Sequence, residues 1–143
     1  MKPVIQEETT GCAIASAAAI AGISYQEAKK AANALGIYAS DPMLWSATGY
    51  IYKLLNKLDI ESENNRMPFT DWDTLPDCAL LSIKWHQVND KSYWHWVVFI
   101  REAENSYVLD SKKSLKTNIR TDFGRIKPKW YIKIHQSPLI TLQ

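Results

Sequence analysis

Residues 79–110 read ALLSIKWHQVNDKSYWHWVVFIREAENSYVLD, and the period of this stretch decides the fold. Ala79 to Trp85 is a short apolar run that reads as a buried strand, and Trp94 to Arg101 reads as a second. A polar loop holding Asn89-Asp90-Lys91 joins them. Ser106 to Asp110 reads as a third strand after a turn at Glu104-Asn105, and further on Trp130 to Ile134 reads as a fourth. Consecutive strands with short connections predict antiparallel neighbours.

The chain before this stretch has a different period. Cys12 to Ala21 is filled by alanine and isoleucine and is closed by Gly22, which predicts a helix buried on most sides. Thr9, Thr10 and Gly11 supply the turn before it. Ser24-Tyr25-Gln26-Glu27 is a capping box that opens a second helix to about Leu35, with Gly36 beyond it. Asp41-Pro42 predicts the start of a third helix, with Met43, Leu44, Ala47, Ile51, Leu54, Leu55 and Leu58 recurring at helical spacing. Helices first and strands afterwards predict an α+β domain, with N-terminal helices packed on a C-terminal antiparallel sheet. No repeat, low-complexity tract or linker divides the 143 residues, so 1–143 is expected to be one domain.

Charge narrows the classes of function. With 17 basic and 15 acidic residues the net charge is +2, which argues against a nucleic-acid binder built on a broad basic surface. The densest basic stretch is Lys112, Lys113, Lys116, Arg120, Arg125, Lys127, Lys129 and Lys133; it reads either as a solvated face or as a weak docking patch for an acidic partner. Ala13–Ile23 imitates a signal-peptide core, but Glu7 and Glu8 precede it where a positive segment is needed. It is also too short to span a bilayer. A cytoplasmic chain that does not enter the membrane is therefore expected, with export by another route left open. Two cysteines suit a reducing compartment, although sequence alone leaves a Cys12–Cys78 bridge open. No Cys/His cluster has zinc-ligand spacing, and no metal or cofactor is expected.

Cys12 is the residue that suggests chemistry. A thiol attacks as thiolate, which a helix N-terminus and a neighbouring imidazolium both favour. Cys12 stands where the first helix should begin. Of three histidines, His95 lies within an apolar strand, where a rigid element would hold a catalytic base. His86 and His135 fall at strand ends facing polar segments. Asp110 closes the strand after that of His95. Two strands joined by a short turn bring the start of one beside the end of the next, so a carboxylate at 110 can orient an imidazole at 95. Acyl transfer also needs oxyanion donors. The Cys12 N–H is one candidate and the side-chain amide of Gln6 another. Trp85, Trp94 and Trp96, with Tyr93, either line a substrate groove near His95 or pack across strands. Cys78 reads as a small buried hydrophobe.

Taken together, Gln6–Gly22 (QEETTGCAIASAAAIAG), Pro76–Trp85 (PDCALLSIKW), HWVVF and YVLDS resemble the papain-like cysteine peptidases. The likeness is greatest to the bacteriocin-processing branch, the double-glycine leader peptidase domains of ABC exporters and their free-standing relatives. The resemblance implies Cys12 as nucleophile, His95 as general base, Asp110 as orienter and Gln6 as oxyanion donor. One departure stands out: many members of that branch have Asp before the Cys and Gly after it, where this chain has Gly11 and Ala13. The expected activity is hydrolysis of peptide bonds in a peptide or protein substrate. The same site could instead serve a deamidase or transamidase of toxin or effector type, for which an inhibitory or immunity protein would be the natural partner. A third reading keeps the fold as a binding domain without turnover.

Overall fold

A computed structural model describes residues 1–41 and 47–135 of the chain. Among the described residues, three helices lie on one face of a seven-stranded antiparallel sheet, so the architecture is α+β. The helices are α1 (Cys12–Ala21), α2 (Tyr25–Ala34) and α3 (Gly49–Lys57). The strands are β1 (Glu61–Ser62), β2 (Met67–Pro68), β3 (Cys78–Val88), β4 (Lys91–Glu102), β5 (Asn105–Leu109), β6 (Ile119–Arg120) and β7 (Trp130–His135). Their order is β1-β7-β3-β4-β5-β6, with β2 also paired to β7.

The sheet is covered on both faces, which explains why its strands read as continuous apolar runs rather than as an alternation. Leu80, Trp96, Val98, Ile100, Leu109 and Ile132 meet α1, α2 and α3. Ala79, Leu81, Ile83, Val97, Phe99 and Val108 face the other way and are roofed by loop residues, chiefly Leu75, Ile126, Phe69, Trp72 and Phe123. Trp72 sits edge-on to Phe69 and to Phe123, at 5.1 and 4.8 Å between ring centres.

Small side chains let α1 come close to the sheet: Ala13, Ala15, Ala17, Ala18 and Ala19 are all buried. Gly22 ends the helix at φ 73°, and the Ile23 N–H bonds back to the Ala18 carbonyl at 3.0 Å, a left-handed cap that glycine adopts without steric cost. The capping box of α2 is formed on both sides, Ser24 accepting from the Glu27 N–H and Glu27 from the Ser24 N–H. The expected opening of the third helix at Pro42 to Ser46 lies outside the described residues. Within them, Ala47 and Thr48 are not helical and α3 begins only at Gly49. The apolar positions of the helical stripe that follow, Ile51, Leu54 and Leu55, are buried.

β3 and β4 run further than their apolar cores. They meet in a two-residue turn at Asn89-Asp90, both with positive φ, the geometry that short polar side chains tolerate best. β7 pairs with β3 only over 79–82 and β5 with β4 only over 98–102. The segment from Lys84 to His95 therefore stands beyond both neighbours as a two-stranded ribbon. A bulge between Ile83 and His86, with Lys84 at φ 54°, twists it. Along the ribbon Trp85 stacks on Trp94, with ring centres 4.9 Å apart and an 8° interplanar angle.

Candidate active site

The site lies where β5 has ended and β4 continues. The edge of β4 that would have faced β5 is open at Trp96, and α1 closes it. Cys12 and Ser16 are one helical turn apart and share a helix face. The Trp96 N–H is directed at Cys12 Sγ (3.5 Å), and Ser16 Oγ donates to the Trp96 carbonyl (3.4 Å). Two side chains of α1 thus stand in for a missing strand, and this docking sets the nucleophile against the strand that carries His95.

His95 and Asp110 share one sheet face. Leu109 pairs with Val98, so Asp110 comes level with Val97 and diagonal to His95. His95 Nε2 lies 2.8 Å from Asp110 Oδ1, which leaves the other ring nitrogen free to serve Cys12, and the two side chains line the same cleft. Burial disfavours the imidazolium, but the hydrogen bonds and charges of Asp110 and Cys12 outweigh it and raise His95 to about 9. Asp110 is 1% exposed. Burial alone would raise it, yet His95, the Lys112 N–H and Arg120 together hold it at about 2. At neutral pH the pair is imidazolium and carboxylate.

Arg120 was legible only as one member of the basic stretch, and neither reading of that stretch describes it. Its Nη1 donates to Asp110 Oδ2 at 3.0 Å, while Nε and Nη2 hold Asp122. The pairing of β6 with β5 brings it there, Leu109 opposite Ile119. The other residues of the stretch, Lys112, Lys113, Lys116, Arg125, Lys127, Lys129 and Lys133, are exposed.

Gln6 is buried beside the site and ties its two halves together. Its backbone N–H bonds to the Ser111 carbonyl at 3.0 Å, and its Oε1 accepts from Ser111 Oγ at 2.8 Å. The side-chain amide has two N–H groups; they go to the carbonyls of Glu8 (3.0 Å) and Thr9 (2.8 Å). As placed, Gln6 braces the loop that delivers Cys12, and its amide must give up one of these bonds to serve an oxyanion.

A cleft of about 430 Å³ opens at Cys12 and His95. Ile14, Ile37, Ala39 and Tyr50 line its helical side, Trp94 and Trp96 its sheet side. Trp85 does not reach it. That ring lies behind Trp94 and beside the Arg66 guanidinium (5.8 Å) and the Lys129 ammonium (5.3 Å), and it lines a separate hollow. Trp96 is 2% exposed and forms a wall of the cleft from within the core. A larger hollow, about 1440 Å³, lies at the far end of α1 beside Cys78. Burial first, then Asp77, raises that thiol to about 12, so it is a poor nucleophile at neutral pH. Both cysteines are free. His86 and His135 are exposed, the first with Nδ1 on the Lys84 carbonyl (2.8 Å), the second 3.3 Å from Glu63.

No family model, no curated protein and no solved structure matches the chain.

The geometry accounts for Gly11. A Cβ at that position would stand 2.2 Å from the Tyr25 hydroxyl, which is bonded to Glu8 in a buried corner. An aspartate before the cysteine has no room here. Gly11→Ala should cost about 1–3 kcal/mol, the usual scale of overpacking, read as a lowered thermal midpoint. Adding Tyr25→Phe, which removes the clashing oxygen, should recover part of the loss. A midpoint that Gly11→Ala leaves unmoved would contradict this account.

Among the described residues no group of three or more His, Cys, Asp or Glu side chains could hold a metal ion. None of the described helices is long and apolar enough to cross a membrane.

Proposed function

We propose that the chain is a papain-like cysteine peptidase that hydrolyses peptide bonds through Cys12, His95 and Asp110. The observation that carries this reading is the placement of a half-exposed thiol on the first residue of α1, in one cleft with an imidazole that a buried carboxylate holds at 2.8 Å. The Cys12 thiolate attacks the acyl carbon, and the carbonyl π pair moves onto oxygen. Collapse of that intermediate breaks the C–N bond while the His95 imidazolium gives its proton to the leaving amine. Water, deprotonated by His95, then cleaves the thioester and returns Cys12 as thiolate. Donors near the helix start are available for the oxyanion, because the Ala15 N–H is the first of α1 to bond back, to Gly11 at 3.0 Å. The cleft walls of Ile14, Ile37, Trp94 and Trp96 favour an apolar residue in the substrate.

Alkylation tests the thiol–imidazole pair without a known substrate. Iodoacetamide should label Cys12 at neutral pH while Cys78 stays unlabelled, with peptide mass spectrometry counting each thiol. The Cys12 rate should fall at least about tenfold in His95→Ala, which lacks the partner imidazole. Equal labelling of Cys12 with and without His95 would reject the catalytic pair and favour a binding domain. Ammonia release from a protein without chain cleavage would redirect the same site to deamidation.

A further inference from the structure

We propose that the hydroxyl of Tyr50 is a catalytic residue, an oxyanion donor that hydrogen-bonds the acyl oxygen as the tetrahedral intermediate forms at Cys12. The inference rests on the peptidase reading above and adds to it a group that the sequence did not single out.

Three observations carry it. First, both N–H groups of the Gln6 amide are held by backbone carbonyls of the loop, so it offers an oxyanion a donor only by giving up one of them. Second, Trp96 ties Tyr50 to the nucleophile. Its backbone N–H reaches Cys12 Sγ and its indole N–H donates to the Tyr50 hydroxyl at 3.3 Å. One residue therefore fixes both groups, and both line the same cleft. Third, the phenol oxygen is used as an acceptor, so its proton must point elsewhere. Among the described residues no acceptor is recorded for it. A hydroxyl has one donor to give, and Tyr50 is only partly buried and lines the cleft, so that donor is free to meet a ligand oxygen there.

The proton is available when needed. Burial first, and the neighbouring Cys12 second, push the Tyr50 phenol above its ordinary value, so it stays protonated at neutral pH. No proton transfer is required of it. As the thiolate adds and the π pair moves to oxygen, the O–H donates a hydrogen bond to the new charge; as the C–N bond breaks and the carbonyl re-forms, that bond weakens. A donor that matters chiefly in the intermediate lowers the barrier and leaves substrate binding nearly unchanged.

Two reagents separate this role from mere packing. N-acetyl-phenylalaninal adds to a cysteine thiolate as a hemithioacetal, which places an oxygen where the oxyanion forms. Iodoacetamide alkylates the same sulfur and forms no oxyanion. In Tyr50→Phe the aldehyde should bind about 10- to 100-fold more weakly, within the range known for loss of one oxyanion donor, while the Cys12 alkylation rate stays within about twofold. That unchanged rate also reports an intact fold and thiol–imidazole pair. Aldehyde affinity unchanged in Tyr50→Phe overturns the proposal and leaves the peptidase reading standing. A wild-type protein whose Cys12 is alkylated at a rate independent of His95 overturns both.

Discussion

Cys12→Ala is expected to abolish turnover and to leave the fold nearly as stable as before. With an internally quenched peptide library as substrate, the loss should approach the background rate, about 10⁵- to 10⁶-fold on the scale set by removal of a covalent nucleophile. The reason is that no neighbour can replace the sulfur. Cys78 is buried and its thiol raised to about 12, and Ser16, the other polar residue on that helix face, donates to the Trp96 carbonyl. Stability should move far less. The thiol is half-exposed and its loss leaves the Trp96 N–H without its long 3.5 Å partner. An unmet donor costs about 1–3 kcal/mol when fully buried, and an N–H at the edge of a cleft should lie near the low end. Thermal melting alongside the assay separates the two effects. Full activity in Cys12→Ala with an unchanged melt would remove Cys12 from the mechanism.

The sequence showed the elements whose side chains repeat, and missed those held by a neighbour. α1, α2 and the cores of β3, β4, β5 and β7 are long enough for apolar periodicity or a capping box to mark them. β1, β2 and β6 are two residues each, and two residues carry no period; they are strands only because β7 and β5 offer them hydrogen bonds. The ribbon from Lys84 to His95 escaped for a related cause. His86, Gln87 and Val88 are exposed on it, so burial leaves no mark in the sequence there.

The site divides in the same way. Cys12, His95 and Asp110 could be found because each has a local signature: a helix start, a histidine in an apolar strand, an aspartate at the end of the following strand. Arg120 and Tyr50 have none. Arg120 looks like one more lysine-rich surface position until β6 is laid beside β5. Tyr50 falls in a helix whose apolar stripe explains an aromatic without further cause. Gln6 was seen, but where its amide points depends on loop carbonyls two and three residues on, which residue type does not report.

Asp110→Asn is the substitution with the second-largest expected effect, and its signature is a shift in pH dependence. In the wild type His95 must be protonated to give a proton to the leaving amine, so kcat/KM should fall as pH rises through about 9. Asparagine keeps the shape but not the charge. The hydrogen bond and charge of Asp110 are weakened, while burial, which lowers His95, and Cys12, which raises it, both remain, so the alkaline limb should move down toward the ordinary histidine value near ~6.5. Activity at pH 7 should drop about 10²- to 10⁴-fold, the upper figure being what loss of the orienting carboxylate costs in a Ser-His-Asp site. Stability follows the same pair with a definite sign. Asp110 is held at about 2, below its unfolded value, so its contribution is present above about pH 4 and is lost as pH falls toward 2. His95 is raised, so its contribution is full below about pH 6.5 and is lost as pH rises through about 9. The wild type should therefore be most stable between about pH 4 and 6.5, and Asp110→Asn should flatten both flanks, because it removes the titrating carboxylate and weakens the pairing that raises His95. Histidine Cε1–H titration by NMR reads the shift directly. A His95 midpoint that stays near 9 in Asp110→Asn would mean that Asp110 does not set the charge of the imidazole, and its role would reduce to holding Arg120.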